Sequence, residues 1–205
     1  SALENRTLDL AVLGGADSAY DAGEVQSLLD AKLLFDTEDP QTRIPGEAAA
    51  FLLLGRPELA TSAGLDVWGA VEGASTDAEL GPALSALTKP LKARRAQVDW
   101  LIGDVNNEPE RVAAWTLAFP RAFSPGGLDT AGQDWAPTAA DGLRAEFPAE
   151  CFGDVGAAML PTGAVLALEA GRRGDPPARR VLLGCCDPGL SGGALINVEQ
   201  RQRGR

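Results

Sequence analysis

Short apolar runs that stop abruptly at glycine or at an acidic turn recur along the chain, and they decide its fold class. Leu8 to Gly15 reads L-D-L-A-V-L-G-G. It is too short for a helix, and its near-continuous apolar character suits a strand buried on both faces. The turn Ile44-Pro45-Gly46 leads into a similar run ending at Leu54. Val98 to Ile102 is another, and it runs into the polar turn Gly103-Asp104-Val105-Asn106-Asn107. Arg179 to Gly184 and Ala194 to Val198 come last, joined by a glycine-rich turn, Pro188 to Gly193, of a length that suits a hairpin. Leu65 to Gly73 alternates apolar and polar residues, as a half-exposed strand does. Strands are therefore expected near 8–14, 48–54, 66–72, 98–102, 180–185 and 193–198.

Helical spacing fills the gaps. Val25, Leu28, Leu29 and Leu33 fall on one stripe, and Asp17 or Ser18 is placed to cap the segment after the paired glycines. Asp77 to Arg95 is helical in spacing, with Pro82 and Pro90 expected to break it. Pro109 to Phe119 is a further helix, and Gly55 to Gly64 a short helical connection. Cys151 to Gly174 begins with small residues and carries Pro161 as an expected kink. The stretch 124–140, rich in Gly, Pro, Asp and Thr, has no periodicity. Strands alternating with helices and closed by a hairpin predict an α/β fold, a mixed β-sheet with helices on both faces.

Charge and composition narrow the function. Against 18 Lys and Arg stand 29 Asp and Glu, a net charge of −11. That balance argues against nucleic acid and anionic lipid as partners. No apolar run approaches the roughly 18 residues that cross a bilayer, so no membrane role is expected. The chain begins with Ser1, which suggests a trimmed chain or a fragment. Histidine is absent, so an imidazole base or ligand cannot come from this chain. Cys151, Cys185 and Cys186 form neither a zinc spacing nor a disulfide framework. They read as small buried hydrophobes in a reduced, cytoplasmic protein with no metal and no cofactor. Lys89, Lys92, Arg94 and Arg95 read as a solvated helix face, and Arg201, Arg203 and Arg205 as a frayed end.

Three segments, in this order, resemble the later half of β-ketoacyl synthases of the thiolase-like superfamily. L-G-G-A-D-S, Leu13 to Ser18, followed by P-G-E-A-A-A, Pro45 to Ala50, is similar to the family's Gly-Gly-x-Asp strand end and its Gly-Glu segment. G-D-V-G-A-A, Gly153 to Ala158, is similar to Gly-His-Thr-x-Gly-Ala-Ala. V-L-L-G-C-C-D-P-G-L-S-G-G-A-L-I resembles the terminal hairpin. The resemblance implies a thiolase-like half. Residues 1–64 would be the last strands of the N-terminal half, and 65–205 the C-terminal half. It also implies a partner: the N-terminal half of the same protein or a second thiolase-like subunit, with self-association and binding of acyl carrier protein as further expectations.

Condensing members of the family use a cysteine and two histidines. Asp104 falls nearest the first histidine and Gly153 on the second, while Pro148 replaces a family lysine. With no histidine there is no complete catalytic set, and Asp104 and Gly153 are expected to be vestigial positions. Cys151, Asn106 and Asn107 are candidates for the remaining pocket, and Glu47 of the Gly-Glu segment reads as a fold-stabilising carboxylate. That pocket, between Asp104, Gly153 and the 188–193 hairpin, is expected to be closed or lined by side chains such as Phe152, without a polar triad. The function expected is a catalytically degenerate protein acting as partner subunit, scaffold or adaptor. The alternative is an acyltransferase whose nucleophilic cysteine lies upstream, with Asn106, Asn107 or Asp104 in place of histidine.

Overall fold

A computed structural model describes residues 5, 7–36, 42–93, 97–123, 143–174 and 179–199. The stretch 124–140, Arg94, Arg95, the side chain of Lys92 and the terminal arginines lie outside the described residues. Two sheets are present among the described residues. The smaller pairs β1 (Leu10–Ser18) antiparallel with β2 (Glu47–Gly55) over all nine residues of each. The larger contains β3 (Gly69–Asp77), β4 (Trp100–Gly103), β5 (Arg144–Glu146), β6 (Arg180–Asp187) and β7 (Leu190–Val198), in the spatial order β3-β7-β6-β4-β5. Strands β5, β4 and β6 run parallel, and β7 runs antiparallel to both β6 and β3.

The alternation of side chains along these strands builds two cores. Leu101, Leu182 and Leu195 face one side, where α3 (Leu80–Ala93) and α4 (Pro109–Phe123) bring Leu84, Leu87, Trp115 and Ala118 onto them. Ile102, Val181, Leu183 and Ile196 face the other, against α6 (Met159–Arg173). Helix α6 is also covered from its far side by Ala48 and Leu52 of β2. It therefore lies between the two sheets, which explains the run of buried small residues Gly163, Ala164, Ala167 and Gly171 along it.

Several expectations are corrected. Strand β3 lies four residues further along than the apolar run suggested. Leu65, Val67 and Trp68 are exposed, and the strand is set by its pairing with β7 rather than by its own hydrophobicity. Helix α3 is continuous: Pro82 sits in its first turn, where no intrahelical N–H is lost, and Pro90 is accommodated inside it. Pro161 is likewise in the first turn of α6 and makes no break there. The turn between β6 and β7 is only Pro188-Gly189, and Gly192 and Gly193 belong to β7. On α1 (Ala22–Asp30) only Leu28 is buried, while Leu29 on the helix and Leu33 beyond its end are exposed. The α1 cap is Asp21, which accepts from the N–H groups of Gly23 and Glu24. Two short helices, α2 (Pro57–Ala63) and α5 (Ala149–Phe152), and a 3-10 turn at Gly156–Ala158 are also present. Among the described residues no helix is long and apolar enough to cross a membrane.

Candidate functional site

Asp104 comes directly after β4 and is buried. Its carboxylate accepts from Arg111 Nη1 at 2.5 Å, Trp115 Nε1 at 2.7 Å and the Cys186 N–H at 2.8 Å. One carboxylate thus ties the end of β4 to α4 and to β6. Burial pushes the Asp104 carboxyl above its ordinary value, against the pull of the Arg111 charge and of these donors. The same pairing raises the Arg111 guanidinium despite its burial, so Arg111 stays charged at any relevant pH.

The network continues outward. Arg111 also faces Glu108 at 3.4 Å and Asp187 at 3.4 Å. Glu108 pairs with Arg43 and accepts from Asn106 Nδ2 at 3.0 Å. Asn106 Nδ2 donates a second time, to Asp154 at 2.9 Å, and its Oδ1 accepts the Glu108 N–H. Arg43 Nε lies 3.9 Å from Asp154. Backbone pairing sets this convergence: Gly46 N–H donates to Asp154 O, and Asp154 N–H to Ile44 O. The segment before β2 is thereby stitched to the segment before α6. Burial alone would raise Glu108, but the Asn106 and Arg43 hydrogen bonds and the two guanidinium charges outweigh it and hold its pKa below the usual value.

The structure places the sequence candidates unevenly. Asp104 and Asn106 are buried in this network. Gly153 contributes no side chain, and with φ at +75° and a Cβ there falling 2.4 Å from the Pro45 carbonyl oxygen it could hardly carry one. The side chain in that corner belongs to Asp154. Asn107 is exposed, and with Pro109, Val112, Thr116 and Leu117 it lines an open recess on α4, away from the network. Cys151 and Phe152 are exposed, so Phe152 closes nothing. The corner expected to lack a polar constellation instead holds a continuous one: Asp104, Arg111, Glu108, Asn106, Arg43 and Asp154. Glu47 accepts from Ser18 Oγ at 2.6 Å across the β1–β2 pair.

The cysteines divide. Cys186 is buried and Cys185 half-buried, and burial together with the Asp104 charge pushes their thiols up to about 12 and about 11. Neither is a thiolate nucleophile at neutral pH. Among the described residues no group of His, Cys, Asp and Glu is arranged to hold a metal ion. A recess of about 220 Å³ opens beside the network, lined by Asp17, Ser18, Glu24, Arg43, Asp154 and Gly156.

No family model matches the chain, and no curated protein matches it. Solved structures do. The ketosynthase from module 6 of the bacillaene synthase of Bacillus subtilis 168 aligns with a TM-score of 0.74 at 14% identity, over 97% of this chain and 44% of that one. The ishigamide ketosynthase/chain length factor aligns with a TM-score of 0.72 at 15% identity, over 96% and 56%. A β-ketoacyl synthase from Burkholderia phymatum STM815 aligns with a TM-score of 0.68 at 13% identity, over 97% and 57%. The chain spans about half the length of the structures it matches. At such identities the likeness speaks for the fold: the chain has the thiolase-like, mixed α/β fold of one half of a ketosynthase domain.

Proposed function

We propose that this chain is a catalytically degenerate, β-ketoacyl-synthase-like half that serves as a partner subunit, scaffold or adaptor, in the cytoplasm. The observation that carries the reading is the chemistry at the two histidine-like positions, Asp104 and Gly153: a buried carboxylate at one and no side chain at the other. A decarboxylative condensation needs hydrogen-bond donors where enolate charge develops, and losing one such donor costs roughly 100- to 1,000-fold in rate. The Asp104 carboxylate adds charge of the wrong sign, and Gly153 offers no side-chain donor. The donors nearby are already committed: Arg111 to Asp104, and Arg43 to Glu108. Asn106, on which the acyltransferase alternative leaned, spends its amide on Glu108 and Asp154 and its carbonyl on the Glu108 N–H. The partners proposed with this reading are a thiolase-like first half, in the same protein or a second subunit, and acyl carrier protein.

The test is incubation of the full polypeptide with acyl and malonyl thioesters, read by intact mass and by product analysis. No β-ketoacyl product is expected. Acylation of a cysteine followed by carbon–carbon bond formation would overturn the reading, and acylation without condensation would favour the acyltransferase.

A further inference from the structure

Two guanidiniums and four carboxylates meet at the corner described above: Arg43 and Arg111 against Asp104, Glu108, Asp154 and Asp187. The acids outnumber the bases, so each guanidinium has more than one seat within reach. Arg111 holds the buried Asp104 carboxylate at 2.5 Å through Nη1. Glu108 and Asp187, both nearer solvent, lie 3.4 Å from its Nε and Nη2. Arg43 is paired with Glu108 through Nε, and the same nitrogen is 3.9 Å from Asp154. Glu108 is the carboxylate that both guanidiniums share.

The charge on Asp104 is what holds Arg111 inward. The hydrogen-bond partners of that carboxylate are all donors: Arg111, the Trp115 indole N–H, the Cys186 N–H and, at 3.8 Å, the Cys186 thiol. A proton on the oxygen that faces Arg111 takes the place of that donor and leaves both N–H groups seated, because a hydroxyl oxygen still accepts. The Coulomb attraction is then gone from the inner seat and intact at the outer ones. The charged and titratable groups around Asp104 come from each packed element. Arg111 and Glu108 belong to α4 and the turn before it, and Cys185, Cys186 and Asp187 to β6. Asp154 lies before α6, and Arg43 before β2. Burial holds Asp104 above the ordinary carboxylate value and keeps both thiols protonated. The Asn106 and Arg43 hydrogen bonds outweigh burial at Glu108 and hold it below its own value. Of these two carboxylates, Asp104 takes the first proton.

We propose that Asp104, Arg111, Glu108 and Arg43 form a proton-driven relay between the larger sheet and the β1–β2 ribbon, in which protonation of Asp104 sends Arg111 outward onto Glu108 and Asp187, and Arg43 moves from Glu108 to Asp154. The step takes one proton from solvent to Asp104 and breaks no covalent bond. Arg111 is the two-position element, and the charge on Asp104 biases it. The relay ends at the recess of about 220 Å³ beside β1, which Arg43 and Asp154 both line. Asp154 carries a bare charge there at neutral pH and a paired one in acid. The relay operates whether or not the protein is catalytic, so the acyl-transfer assay does not bear on it.

The test is a pH titration of the full polypeptide by NMR, following the Trp115 indole N–H and the Nε–H groups of Arg111 and Arg43 in wild type, D104N and E108Q. In wild type the three signals are expected to move together at the first midpoint below neutrality. D104N, a neutral isostere, is expected to show Arg111 and Arg43 at neutral pH where wild type shows them in acid. E108Q removes the shared carboxylate, so Trp115 still moves and Arg43 no longer follows it. Separate midpoints for Trp115 and Arg43 in wild type overturn the relay. So does an Arg43 that still follows Trp115 in E108Q, or a D104N spectrum that keeps Arg111 and Arg43 at their neutral positions. If a variant fails to fold, the wild-type titration decides by itself.

Discussion

The carboxylate of Asp17, near the end of β1, accepts the backbone N–H of Ala157 at 2.9 Å, across 140 residues of sequence. It supplies from another element the cap that the turn before α6 lacks, since no side chain of its own N-terminal position does so. Gly15 makes the approach possible, because a Cβ there would stand 2.5 Å from the Ala157 carbonyl oxygen. Replacing a helix-capping carboxylate by alanine costs about 0.5–2 kcal/mol. D17A is therefore expected to lower the urea midpoint by that equivalent, and D17N to retain most of it. Equal loss in both variants would show that the charge, rather than the accepted hydrogen bond, matters.

Asp104 and Arg111 form a buried pair, and breaking such a pair by removing one partner costs about 3–5 kcal/mol. R111M should be the more damaging single change, as it leaves the Asp104 carboxylate facing only neutral donors. The double variant D104L/R111M should recover a large part of the loss, because the unpaired charge is gone. Denaturant unfolding of the two single variants and the double variant checks this, and simple additivity would refute it.

Two carboxyls pull the acid stability profile in opposite directions. Glu108 is held below its ordinary value of 4.5. Its contribution is fully present above that value and is lost as pH falls through the lower, folded pKa. Asp104 is raised above 3.8, so the folded state takes up its proton first, and stability gains from it as pH falls through the raised value. E108Q should flatten the loss of melting temperature below about pH 4.5, while D104N should steepen it. Melting curves between neutrality and strong acid measure both slopes.

Thiol chemistry should be confined to one position. Cys151 is exposed, whereas burial holds the thiols of Cys185 and Cys186 at about 11 and about 12. Iodoacetamide at pH 7.5 is expected to label Cys151 quickly and the other two only after unfolding. Peptide mapping of the native, partly labelled protein decides it, and early labelling of Cys185 would contradict the burial argument.

The sequence made the central strands legible because their apolar runs are uninterrupted and the side chains are buried on both faces, as in β4 and β6. Strand β5 is not legible, since Arg144, Ala145 and Glu146 carry no apolar signal and pair only through their parallel neighbour. Strand β3 is displaced from its expected place for the related reason that G-A-V-E-G-A-S-T-D packs mostly small residues against β7. Within the site Asp104 is legible from its place after a strand. Arg43, Glu108, Arg111 and Asp154 are not: Glu108 and Arg111 share an i,i+3 spacing, but no local spacing joins them to Arg43 or Asp154, and only the pairing of Ile44 and Gly46 with Asp154 brings the two ends of that network together.

The ribbon that opens the chain and the helix that supports it are made at different times. At roughly 5–20 residues per second of synthesis, the 140 residues between Asp17 and Ala157 take roughly 7 to 28 seconds to emerge. From the completion of β2 until α6 follows, Ala48 and Leu52 have no α6 to rest on, and the inner face of the strand pair stands open at the ribosome. Chaperone occupancy on the nascent chain should therefore rise once β2 has emerged and fall when α6 emerges in turn, which makes translation speed across the intervening region a determinant of how much protein reaches the native state.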